Sequence, residues 1–342
     1  MKFTPYKTFL ITAVILVAVL NSFAQTEREK GIAFYQQADY ENAVKTLKRA
    51  LKTNSDDFKV LYYLGLAYLK TDEPKDATKV LKKAVELDNK NADAYAALAY
   101  SYLLRNDLKE AQETAQSSLK LNPNNAEAHY ILGVLSLRRG SFNYAYEQAN
   151  KTIALNPNFA AAYYLKSVVL INSFAAQTET IVKPAENRYT MLSEAAESLD
   201  KFLKFVPNDK QANFLREYLT SLQFFADYYN KPLNNEPINF ESAETESTDS
   251  TALRITYKPK PSYTKEARRA NVSGRVKVLA VFSASGKVEH VLVIQTLGYG
   301  LDEQAVRAVK RIKFEPQTKD GKPVTVVKTV VFGFIVYERI NY

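Results

Sequence analysis

Five small residues, Gly31, Gly65, Ala99, Gly133 and Ser167, stand 34 positions apart, and that period limits the possible folds more than any other feature of the chain. Twelve residues after each of the first four come Ala43, Ala77, Ala111 and Ala145, followed by Leu47, Leu81, Ala115 and Ala149, then Ala50, Ala84, Ser118 and Thr152. A large residue, Leu61, Tyr95, His129 or Tyr163, lies upstream of the small one in units two to five, and the turns close in register on Ser55, Asn89, Pro123 and Pro157. Apolar spacing of three and four predicts helices. Its recurrence at a long fixed period predicts helix–turn–helix units that stack, each burying a face it could not bury alone. Small residues let the two helices of a unit approach closely, and the large ones fill the space between units.

The fifth unit is irregular. Its first helix, around Tyr163 to Ile171, keeps register, but the second, with Ala195, Leu199, Phe202 and Pro207, arrives 16 residues late. The extra NSFAAQTETIVKPAENR either lengthens the helix ends or forms a protruding loop. QANFLREYLTSLQFFADYYN then reads as one amphipathic helix that covers the last apolar face of the array.

This pattern resembles the tetratricopeptide repeat. The resemblance implies an all-α, right-handed superhelix of about five repeats plus a capping helix over residues 25–230, with ligands meeting the first helix of each unit on the concave side. By register the inward slots hold Arg28, Tyr62, Ala96, Tyr130 and Tyr164, with Ile32, Leu66, Tyr100, Val134 and Val168 one turn on. The Lys, Asn and Arg with which some members grip a peptide's terminal carboxylate are missing from these slots. Tyr62, Leu66, Tyr100, Tyr130, Val134 and Tyr164 are therefore the candidate groove residues, suited to an extended or helical peptide. The competing reading is that the tyrosines only pack between helices.

The N-terminus, MKFTPYKTFLITAVILVAVLNSFAQ, has two lysines, an apolar run from Phe9 to Leu20 and a small-x-small ending at Ser22 and Ala24. That is the layout of a signal peptide over residues 1–24, cleaved after Ala24, which places the rest in the periplasm. The rival is a retained inner-membrane anchor, for which the run falls short of the roughly 20 residues a spanning helix needs. Cysteine is absent and histidine is limited to His129 and His290, which excludes disulfides, thiolate sites and histidine-rich metal clusters.

Charge divides the chain again. From Arg254 to the end there are 17 Lys and Arg against seven Asp and Glu, while residues 231–253 carry Glu236, Glu241, Glu244, Glu246 and Asp249 against Lys231. We read an acidic flexible linker over 231–255 and a basic second domain over 256–342. In that domain the period changes to alternation: Val276, Val278, Ala280 and Phe282 share one face, a turn falls at Ser285-Gly286-Lys287, and Val291 and Val293 resume. This predicts a hairpin with one side buried. A helix follows with Asp302 as its N-cap, then a turn at Asp320-Gly321 and a long last strand, giving a small α+β domain. The basic residues are not interleaved with aromatics in the manner of a nucleic-acid reader.

YTKEARRANVSGRVKV, SGKV, LDEQAVRAVKRIKFEP and DGKPV, in this order, resemble the C-terminal domain of the TonB family of periplasmic energy transducers. Tyr263, Ala267, Gly274, Gly286, Leu301, Asp302, Ala305, Phe314, Pro316 and Gly321 carry the likeness; Thr264, Asn271 and Ile312 depart from it. The resemblance implies no enzyme and no cofactor. It implies a last strand that pairs with an extended segment of an outer-membrane transporter, and raises a homodimer through the same domain. The candidate edge residues are Val324, Val326, Val327, Lys328, Thr329, Val330, Val331 and Phe332, since an unpaired strand offers backbone hydrogen bonds to an added peptide. The N-terminal segment lacks the histidine expected of a transducer's anchor, so a scaffold joining two envelope proteins is the leading reading and an anchored energy transducer the alternative.

Enzyme readings find no support in the residues. Gly298 and Gly300 lack a third glycine, and Asp302-Glu303 would repel phosphate at that helix start. His129 sits in the large-residue slot, where core packing is expected, and His290 has no partner for a triad. Asp56-Asp57 falls at a repeat turn.

Overall fold

The computed structural model describes residues 26–176, 187–208, 211–230 and 251–335. The expected signal peptide, the middle of the insertion and most of the acidic segment lie outside the described residues. Two compact units divide at Leu135/Ser136.

The first unit contains α1 (residues 26–36), α2 (Tyr40–Thr53), α3 (Phe58–Lys70), α4 (Pro74–Leu87), α5 (Ala92–Leu104), α6 (Leu108–Leu121) and most of α7 (Ala126–Arg138). The polar turn residues start the helices: Asp39, Asp57 and Asn91 each accept the backbone N–H three residues on, and Asn125 does the same for Ala128, satisfying donors that the helix leaves open. Within each unit the turn repeats one geometry. Ala38, Asp72 and Asn106 have φ of 59°, 59° and 66°, and the next residues donate to Phe34, Tyr68 and Tyr102. This is a left-handed helix stop with its 6→1 hydrogen bond.

The small-residue period has a steric cause. A Cβ added at Gly31 would lie 2.6 Å from Leu47 Cγ, and one at Gly65 would lie 2.4 Å from Leu81 Cγ. The third unit fills the same volume differently, with Ala99 and Ala115 both fully buried; two alanines replace glycine plus leucine. Gly65→Val should therefore cost about 1–3 kcal/mol through overpacking, read by urea denaturation. The pair Gly65→Ala with Leu81→Ala, which copies the third unit, should recover most of that loss. In the large-residue slot, the half-buried His129 ring meets Pro123 O at 2.9 Å, so the residue ties down the turn as well as packing.

The second unit opens with α8 (Phe142–Leu155), α9 (Ala160–Ala175), α10 (Asn187–Phe205) and α11 (Ala212–Asn230). Its Tyr163 makes the bond equivalent to that of His129, to Pro157 O at 3.1 Å. Helices α9 and α10 have 16 and 19 residues where regular units have 13 and 14, so the insertion lengthens the helix ends. The α+β part follows as β1 (Arg254–Tyr257), α12 (Lys265–Arg269), β2 (Gly274–Phe282), β3 (Val288–Gln295), α13 (Leu301–Val309), β4 (Lys313–Glu315), β5 (Thr318–Lys319), β6 (Lys322–Pro323) and β7 (Val326–Phe334). Its main sheet is antiparallel in the order β3-β2-β7.

Three features differ from expectation. The hairpin is buried on both faces: Val276, Val278, Ala280 and Phe282 pack with α13 residues, while Leu279, Val281, Leu292 and Val327 pack with Leu222, Phe225 and Ala226 of α11. The run Val278 to Phe282 has no polar residue, as a strand covered on both sides requires. Asp302 is not the N-cap; Gly300 holds that place, and the Asp302 carboxylate accepts from the N–H groups of Leu297 at 2.9 Å and Gly298 at 3.1 Å. Gly298, Tyr299 and Gly300 all have positive φ, so the chain enters α13 through a left-handed loop that Asp302 closes. Finally, residues assigned to the linker's end are paired: Thr251 bridges Thr318, and β1 pairs with β4 through Arg254↔Glu315. The turn at Asp320-Gly321 forms as expected, with φ of 53° and 69°, the double positive φ of a tight hairpin turn.

Candidate interaction sites

The two outer strands of the sheet are treated differently. Along β3, the Tyr218 hydroxyl donates to Val293 O at 2.8 Å and the Val291 N–H donates to Ser221 Oγ at 3.2 Å. Side chains of α11 thus satisfy outward backbone groups of that edge, and the His290 ring, stacked 3.9 Å from Phe224, seals it. Burial pushes the His290 pKa down.

Strand β7 carries the other edge, and among the described residues no strand pairs with its outer side. Val326, Val330, Phe332 and Phe334 point into the α13 side, Val327 into the α11 side, and Thr329, Val331 and Gly333 are exposed. Lys328 is half-buried. Val324 precedes the strand and donates its N–H to Gln317 O. The Val331 carbonyl accepts from Lys258 Nζ at 3.0 Å. Since backbone groups alternate sides along an antiparallel strand, Val327, Thr329, Val331 and Gly333 aim outward while Val330 and Phe332 bond to β2. Lys258 also lies 4.9 Å over the Phe332 ring. Exposed Val331 sits opposite Lys277, and Gly333 opposite Arg275, both exposed, so the open edge is bordered by positive charge. Lys258 was missed from sequence because it reaches Val331 across 73 residues of chain and no local pattern marks it.

In the first unit, Tyr62, Leu66, Tyr100, Tyr130 and Val134 are all half-buried. Tyr62 stacks on Phe58 at 5.8 Å and meets Tyr63 edge-on at 5.5 Å, and Tyr63 meets Tyr35 edge-on at 5.5 Å. The tyrosines therefore pack against neighbours and retain exposed surface as well. Burial pushes the Tyr35 phenol up to about 12 and raises Tyr62 and Tyr100, which keeps these hydroxyls protonated. Arg28, an expected inward residue, is held by Asp57 at 3.2 Å. Tyr164 belongs to the second unit, 38% exposed, its ring 5.2 Å from Phe202.

Among the described residues no group of three His, Asp or Glu could hold a metal ion, and no helix is long and apolar enough to cross a membrane.

Residues 259–336 match the family model of the Gram-negative bacterial TonB protein C-terminus, and residues 28–92 and 72–135 match two tetratricopeptide repeat models. The chain is 28% identical over 104 residues to Protein TonB of Pseudomonas aeruginosa, and the match spans only 30% of that relative's length and 30% of this chain. It is also similar to two solved structures. TTC0263, a thermophilic TPR protein of Thermus thermophilus, is 20% identical over 59% of this chain and 99% of that one, with a TM-score of 0.45. For Pseudomonas aeruginosa pilF the identity is 20% over 62% and 99%, with a TM-score of 0.42. Residues 28–135 are tetratricopeptide repeats and residues 259–336 a TonB C-terminal domain, two protein–protein interaction modules in one chain.

Proposed function

We propose that the chain is a non-enzymatic scaffold of the bacterial envelope. Its repeats hold one periplasmic protein, and β7 of its TonB-like domain docks an extended segment of an outer-membrane transporter by strand addition. One observation carries the reading: α11 uses two polar side chains to close β3, while among the described residues the outer backbone groups of β7 meet only the Lys258 ammonium, at Val331. An added strand would gain main-chain hydrogen bonds there, and the basic border would favour a segment bearing acidic residues.

Titration calorimetry with synthetic peptides from the periplasmic N-terminal segments of such transporters tests this. Saturable binding that Thr329→Pro weakens is expected; binding unchanged in that folded variant would overturn the edge-strand reading. Pairing of β7 with a second copy would instead appear as concentration-dependent dimerisation. The likeness to Protein TonB favours a second reading, an anchored energy transducer with the same docking edge. N-terminal sequencing of the mature protein separates the two, because a chain beginning at Gln25 is not tethered through residues 1–24.

A further inference from the structure

We infer that Lys258 selects the strand that β7 accepts: its ammonium, which holds the Val331 carbonyl in the free chain, pairs with an aspartate or glutamate of the added segment on the Phe332 face of the sheet. This rests on the reading of β7 as the docking edge and adds the position at which that edge tests its ligand for charge.

The chain on both sides of Lys258 fixes it beside the edge. Just before it, β1 is paired to β4 through Ile255↔Phe314 and Tyr257↔Lys313, and just after it Pro259 is buried. Lys258 itself is exposed. Its Nζ donates to Val331 O at 3.0 Å and lies 4.9 Å over the centre of the Phe332 ring. Among the described residues its charge thus meets a carbonyl and a ring face but no carboxylate. An added strand needs Val331 O as an acceptor for its own ladder, so Lys258 is the group that strand must share or displace. An acidic side chain brought by the strand gives the ammonium a stronger partner than a neutral carbonyl.

The two faces of the edge carry their charge at different places. Successive side chains along β7 point to opposite faces: Val330, Phe332 and Phe334 pack on the α13 side, whereas Val331 and Gly333 lie on the other face, opposite Lys277 and Arg275. Lys258, over the Phe332 ring, therefore stands on the α13 face, and Lys277 and Arg275 stand on the opposite one. Lys328 shares the face of Phe332 but lies four residues before it, roughly 13 Å along the strand. Side chains of an added strand alternate in the same way. An acidic residue that lands on the Phe332 face next to Val331 meets Lys258, and one a single residue away points to the other face.

The test uses the full chain and fluorescence anisotropy of decapeptides from the periplasmic N-terminal segment of an outer-membrane transporter. In the parent peptide every Asp and Glu is replaced by its amide, and in each of a set one position is Glu. With the wild type, Glu should tighten binding about three- to fivefold at one position, the range of an exposed ion pair. Lys258→Met should abolish that gain while still binding the parent peptide, and Lys258→Arg and Lys328→Met should both keep it. A merely structural role for Lys258 would not make the choice between Glu and Gln follow the charge at 258. A gain that is equal at every position, or that persists in Lys258→Met, would overturn the assignment. Thr329→Pro separates this outcome from failure of the docking edge: if that variant weakens binding, the edge stands without the Lys258 selection. Binding indifferent to Thr329→Pro, or no binding by any peptide, would overturn strand addition and the Lys258 assignment together.

Discussion

Phe225→Ala is expected to destabilise the last repeat helix and the three-stranded sheet together, by about 3–5 kcal/mol. Phe225 is fully buried and lies with Leu222 and Ala226 in the cluster that α11 shares with Leu279, Val281, Leu292 and Val327. Removing its ring leaves a cavity between two elements that would each otherwise expose an apolar face. Elements that share a core unfold as one unit. Urea titration followed by far-UV circular dichroism and by amide exchange in β3 should show one transition, displaced equally for both signals and with unchanged slope. A helical midpoint that moves while β3 keeps its own would mean that the sheet folds without α11.

Thr329→Pro should weaken peptide binding by ten- to a hundredfold without unfolding the domain. Its N–H aims away from β2, so proline removes no bond of the native ladder, and an edge position tolerates the ring. The loss of one main-chain hydrogen bond accounts for about tenfold, and the ring also holds the added strand away. Val330→Pro is the contrasting case. Val330 faces Val278 across the ladder and is buried, so proline there breaks a native bond and should lower the melting temperature as well. Normal binding by the Thr329→Pro variant would show that the outer edge of β7 does not hold the peptide.

What could be read in the sequence was what repeats or what turn chemistry dictates. Gly31 and Gly65 mark the closest approach of paired helices, and their equivalents recur often enough to expose the period. Gly286 and Asp320-Gly321 announce tight turns because their backbone needs positive φ, as the structure shows. Contacts made over long separations left no such mark. The second face of the sheet looked unpaired because its cover, α11, is read from its own sequence only as a cap. Asp302 stands at a helix start, where a carboxylate usually caps, yet it bonds backward to Leu297 and Gly298.

Amide hydrogen exchange along β7 reports strand addition residue by residue. With a transporter-derived peptide bound, the outward amides of Thr329, Val331 and Gly333 should slow by about tenfold or more as they enter new hydrogen bonds. The Val330 and Phe332 amides, already paired with β2, should keep their rates. Peptide binding that leaves the three outward amides as fast as in the free chain would show that the peptide docks elsewhere than on the outer edge of β7.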